Sequence, residues 1–142
     1  MGTKLSRRDF LRLYSSIAQG LFIFQNPKRI PKDQPTINVG MLLSDKLCNT
    51  PADRRGFNLP SLLQAIVSTH AAATLTNYEL LFSPSLHQDV VGTLLNVSRN
   101  RKLCIAWVGY IDGDRLIYAD ENNPEYYEQA YARYVDTYII TE

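Results

Sequence analysis

The sequence predicts an α/β fold built on a mostly parallel sheet flanked by helices. Three observations carry this. Short apolar strand patterns alternate with helical ones along the chain. Leu103-Cys104-Ile105-Ala106-Trp107-Val108 is continuously apolar, as a strand covered on both faces must be. The chain has 142 residues, of which 45% are hydrophobic, and this suits a single domain whose core needs neither disulfide nor metal.

The elements come in order. Phe10, Leu11, Tyr14 and Ile17 recur at helical spacing, with Arg7, Arg8 and Arg12 on other faces, so residues 6–19 read as an amphipathic helix. Leu21-Phe22-Ile23-Phe24 reads as a strand. Residues 25–35 carry three prolines and read as an irregular connection. Ile37 to Leu43 reads as a second strand, followed by a short helix over Ser44–Cys48. Asn58 caps a helix with Pro60 in its first turn and Leu62, Leu63, Ile66 and Val67 as its apolar stripe. Thr74 to Phe82 is a third strand. A helix from Pro84 or Ser85 buries Val90, Val91, Leu94, Leu95 and Val97 and ends at Asn100. After the strand at Lys102–Val108, Asp112-Gly113 marks a hairpin turn between Trp107–Ile111 and Arg115–Tyr118. Pro124 opens a last helix, in which Tyr127, Tyr131, Tyr134 and Tyr138 share one face. Such a stripe docks on its own core, or offers a partner or nucleic acid a stacking surface.

Charge is unevenly spread. Residues 1–34 hold seven Lys/Arg (Lys4, Arg7, Arg8, Arg12, Lys28, Arg29, Lys32) against Asp9 and Asp33, a local +5. Residues 111–142 hold eight acids against Arg115 and Arg133, a local −6. A basic head and an acidic tail can attract each other, a partner, or a phosphate backbone. Cys48 and Cys104 show no metal-ligand spacing, and His70 and His87 are isolated. No apolar run approaches the roughly 18 residues of a membrane span.

Three stretches together resemble the small P-loop protein of type 3 BREX phage-defence systems, the BrxF family. They are Ile37–Gly40 through Ser44 and on to Pro51-Ala52-Asp53-Arg54-Arg55; Glu79-Leu80-Leu81-Phe82-Ser83-Pro84-Ser85-Leu86; and Ser98-Arg99-Asn100-Arg101, then Ala106-Trp107, then Tyr118-Ala119 to Asn123-Pro124-Glu125-Tyr126. The resemblance spans roughly residues 36–127. It divides a single domain into a basic N-terminal part (1–35), a P-loop-fold-like region (36–127) and a Tyr-rich tail (128–142). It implies a P-loop NTPase fold, ATP and Mg²⁺ as ligands of the family, a cytoplasmic setting, and work beside other BREX proteins, which restrict phage DNA and mark host DNA by methylation.

The nucleotide site departs from that pattern. GxxxxGK[ST] is absent. Gly2-Thr3-Lys4-Leu5-Ser6 echoes it without adjacent Lys and Ser. The better alignment makes Leu21–Phe24 the first strand, with the loop and its helix replaced by Gln25–Pro35. Thr76 stands where an acid would hold magnesium through water, and Ser83 where another acid is expected. Glu79 remains as a candidate general base. Arg99, Asn100 and Arg101 are candidates for a sensor or for an arginine finger in trans.

The expectation is therefore a degenerate or truncated nucleotide site without ATPase activity of its own. The chain reads as an accessory BREX component, a scaffold that binds partner proteins and is able to form oligomers. Two other readings stand beside it. In one, Arg54, Arg55, Arg99, Arg101 and the basic head bind DNA phosphates. In the other, Ser6-Arg7-Arg8-Asp9-Phe10-Leu11-Arg12, which resembles the twin-arginine motif, directs export.

Overall fold

The computed structural model describes residues 2–141. Its main sheet has six parallel strands: β1 (Thr3–Leu5), β2 (Gly20–Phe24), β3 (Thr36–Asn38), β4 (Ala72–Thr76), β5 (Lys102–Ala106) and β9 (Thr137–Ile140), in the order β1-β9-β2-β5-β4-β3. A second, antiparallel sheet joins β6 (Tyr110–Asp112), β7 (Arg115–Tyr118) and β8 (Tyr127–Ala130). The helices are α1 (Arg7–Leu13), α2 (Val39–Cys48), α3 (Arg55–Val67) and α4 (Val90–Val97). No helix among the described residues is long and apolar enough to cross a membrane.

Strand alternation sorts the core into two layers. Leu21, Ile23, Leu103 and Ile105 point to the side where α2, α3, α4 and the small sheet pack. Phe22, Phe24, Cys104 and Ile140 point to the other side, where Phe10 of α1 meets them. Phe10 lies edge-on to Phe22 and Phe24 at 5.9 and 5.0 Å, and Tyr138 stacks on Phe22 at 4.9 Å.

The strand at Leu21–Phe24, the buried strand from Lys102 and the hairpin stand as expected, with Gly113 supplying the positive φ of 59° at the turn. Several boundaries shift. β3 stops at Asn38, whose side chain accepts from Met41 N and starts α2 there instead of at Ser44. Gly40 lets α2 approach β4 closely, because a Cβ there would lie 2.5 Å from Asn77 O. β4 ends at Thr76, since Asn77 takes φ 55°, and Glu79–Phe82 winds into a 3₁₀ turn. Pro84–Leu86 is likewise 3₁₀, and α4 begins only at Val90.

The Tyr-rich C-terminal helix is a correction. The same residues form β8, a 3₁₀ turn and β9, because Thr137-Tyr138-Ile139-Ile140 is β-branched and aromatic and fills the gap between β1 and β2. Residues 127–140 thus give one strand to each sheet. The tyrosines separate accordingly. Tyr127 and Tyr134 donate to Asp89, Tyr131 enters the main core, and Tyr138 faces α1. The stretch that echoes a P-loop, Gly2–Ser6, contains the edge strand β1.

α3 starts three residues before Asn58, so Pro60 lies inside it. Pro60 has no N–H for the carbonyl of Gly56. Gln88 Nε2 donates to that carbonyl at 2.9 Å instead. Gln88→Ala should cost about 1–2 kcal/mol in urea unfolding. In a Pro60→Ala background, where the backbone N–H returns, part of that cost should disappear. Equal costs in both backgrounds would refute the compensation.

Candidate functional site

In an open parallel sheet, ligands bind outside the carboxyl ends of the strands, where the strand order reverses. Here β2 sits at that reversal, between β9 and β5, and its carboxyl end is Phe24. Beside it β4 and β5 part. Their pairing stops at Thr74↔Cys104, whereas β5 follows β2 to Ala106 and β4 follows β3 to Thr76. Tyr78 fills the gap. It is 1% exposed, and its hydroxyl donates to Ala106 O at 2.6 Å. Burial pushes this phenol well above its ordinary pKa, so it stays a neutral donor.

Above Tyr78 opens a cleft of about 460 Å³. Pro27, Ile30 and Pro31 form one wall, Thr74 and Thr76 face them, and Glu79 and Lys32 stand at the rim. The wall is tied down by one residue that the sequence pattern does not single out. Gln34 accepts from Tyr14 OH at 2.7 Å and donates to Thr74 Oγ1 at 3.1 Å. The same Tyr14 hydroxyl lies 3.6 Å from Cys104 Sγ, a thiol whose pKa burial raises. The chain Cys104–Tyr14–Gln34–Thr74 thus pins the connection after β2 to α1 and to the sheet.

A phosphate cradle needs several free backbone N–H groups converging on one point. Residues 25–31, which follow β2 directly, do not offer them. Gln25 N donates to Ile140 O, Lys28 N to Asn26 Oδ1, Arg29 N to Asn26 O and Ile30 N to Pro27 O. Pro27, Pro31 and Pro35 have no N–H at all. Thr76, at the expected magnesium position, turns its hydroxyl toward Ile37 O at 3.4 Å. Among the described residues no three His, Cys, Asp or Glu side chains gather as a metal site. Residues 25–31 leave only the Asn26 N–H to meet a phosphate, so Mg-ATP does not fit them in the manner of a P-loop.

The remaining candidates scatter. Glu79 is exposed at the cleft rim, at the carboxyl end of the sheet. Arg99, Asn100 and Arg101 precede β5 at the opposite rim, and the five residues of β5 alone separate the two by about 16 Å. Arg101 donates to Val67 O at 2.5 Å and so caps the end of α3. Asn100, at φ 66°, donates its N–H to Gln19 Oε1 at 2.9 Å, and Arg99 is exposed. Arg54 and Arg55 lie at the other end of α3, thirteen residues or about 20 Å away, where Arg55 Nε holds Thr50 O. The four arginines do not form one patch.

No family model, no curated protein and no solved structure matches this chain.

Tyr78→Phe removes the hydroxyl that bridges the parted strands and leaves Ala106 O unpaired at that position. It should lower stability by about 1–3 kcal/mol in chemical denaturation. Glu79→Gln, at an exposed position, should change stability by less than about 0.5 kcal/mol. A Tyr78→Phe protein as stable as the parent would show that the gap closes without its wedge.

Proposed function

We propose that this chain is a non-hydrolysing scaffold of P-loop type that serves a BREX-type anti-phage defence system by binding partner proteins. The observation that carries the reading is the connection after β2. In a P-loop protein the phosphate loop joins a buried parallel strand to the next helix. β2 is such a strand, buried along its whole length. The chain leaves β2 through a 3₁₀ turn at Pro27–Arg29 and enters β3, with no α-helix between them. The parallel strands and the cleft at their carboxyl ends agree with P-loop ancestry, while the spent N–H groups argue against hydrolysis. The resemblance over residues 36–127 supplies the defence context.

Two measurements test this. Mg-ATP or Mg-ADP at millimolar concentration should leave the melting temperature of the purified chain unchanged and give no heat in calorimetry. A ligand at about 100 times its dissociation constant would add about 2.7 kcal/mol and be plain in a melt. In a host carrying the defence system, deleting the gene should abolish phage protection, and Glu79→Gln should retain it. Nucleotide binding would remove the scaffold reading, and full protection without the gene would remove the defence role.

A further inference from the structure

The main sheet separates two surfaces of opposite charge. On one side lie α1 and the connection after β2, held together by Ile30, which packs in the Phe10–Phe22–Phe24 cluster, and by the Tyr14–Gln34 hydrogen bond. All seven cations of residues 1–34 belong to these segments and to β1, and all are exposed. Among the described residues only Arg12 has an acidic partner, Asp9 at 3.1 Å. α1 turns Phe10, Leu13 and Tyr14 inward. Residues 7, 8, 11 and 12 share its outer face. That face therefore carries Arg7, Arg8 and Arg12 around Leu11, which is 65% exposed.

The small antiparallel sheet lies on the other side. It packs Ile111, Leu116, Tyr118 and Tyr127 against the core that contains Leu21 and Ile23. Register puts Tyr110, Ile117 and Glu128 in one row, where Ile117 is buried, and Asp112 and Arg115, both exposed, in the next. Tyr110 is 57% exposed. Asp112, Asp114, Asp120 and Glu121 are exposed around it. Arg115 is already paired with Glu128, and Arg133 is held by Gln129 of β8.

We infer that this chain associates with itself head to tail, the Arg7–Arg8–Leu11–Arg12 face of one molecule docking on the Tyr110–Asp112–Asp114–Glu121 face of the next. The sheet stands between the two surfaces, so one molecule cannot join its own. Their charges complement one another, with Arg7, Arg8 and Arg12 on one face and Asp112, Asp114 and Glu121 on the other. Each carries one apolar residue amid the charges, Leu11 on one and Tyr110 on the other. A phosphate backbone would satisfy the arginines and leave Leu11 without a contact, which favours a protein surface over nucleic acid. Because the two faces differ, the contact is heterologous and propagates into rings or chains. This inference stands on the surfaces and is independent of the nucleotide reading.

Sedimentation velocity at about 100 µM protein, above the micromolar range of small polar interfaces, tests it. Wild type should sediment as concentration-dependent oligomers at about 50 mM salt and as monomer at about 500 mM, where the screening length falls to roughly 4 Å. Leu11→Glu and Tyr110→Lys should each be monomeric at low salt, with unchanged melting temperatures because both positions are exposed. Mixed in equal amounts they should form a dimer and nothing larger. The first keeps an intact acidic face and the second an intact basic one. A monomeric wild type at low salt would overturn the inference. So would either variant associating like wild type, or a mixture that stays monomeric. A monomeric wild type that binds a 20-base-pair DNA duplex at low salt, and loses it on Arg8→Glu, would assign the basic face to phosphate instead.

Discussion

Everything in this fold depends on the complete burial of β2. Leu21, Phe22, Ile23 and Phe24 are all 0% exposed. The strand is paired on both edges, with β5 and β9, and covered on both faces. Burying such apolar side chains stabilises by about 1.5–3 kcal/mol each relative to leaving them in water. That gain exists only if both faces find cover. On one face α2, α3, α4 and the small sheet supply it. On the other, no helix comes after β2 to provide it.

The N-terminal segment takes that place. α1 lays Phe10 over Phe22 and Phe24, and Tyr14 over Phe22 at 5.0 Å. Lys102 Nζ donates to Tyr14 O at 3.0 Å and sits 4.1 Å from the Tyr14 ring, joining α1 to the start of β5. Tyr14 also reaches Gln34, so the helix that covers the sheet holds the connection that borders the cleft. The cover for β2 comes from before it in the chain, and the connection after it is free to be short and rich in proline. Of the residues resembling an export motif, Phe10 anchors this cover from inside, while Arg7, Arg8, Leu11 and Arg12 form its outer face.

Much of this was legible where apolar residues run without interruption. β2 and β5 announce themselves because strands buried on both faces have no polar positions. The Asp112-Gly113 turn was legible because few other arrangements use a positive φ there. The C-terminal segment was not. Tyrosines at spacings of four, three and four fit a helix, and only tertiary pairing with β2 and β1 overrides that pattern. β1 was illegible for the same reason, since its three residues gain pairing only from β9, at the other end of the chain. Glu79 stood out by its type, and the structure sets it at the cleft rim. Tyr78 and Gln34 escaped notice because their roles arise from what they bridge, and neither type nor spacing carries that information. The arginines had the right chemistry and the wrong geometry, because α3 holds the two pairs apart.

Several independent features of the connection after β2 oppose a phosphate loop there. A phosphate loop here would need donors at Pro27 and Pro31, release of Lys28, Arg29 and Ile30 N–H from Asn26 and Pro27, and a longer connection before β3. It would also need a carboxylate at Thr76. No single substitution supplies these, and freeing the N–H groups would undo the turn that closes the cleft wall. Meanwhile the core, the two-faced cover and the aromatic packing of the small sheet, with Phe82 stacked on Tyr118 at 3.9 Å, are intact. What this scaffold presents is surfaces. The surfaces it presents are two faces of opposite charge, held apart by the sheet that β2 organises.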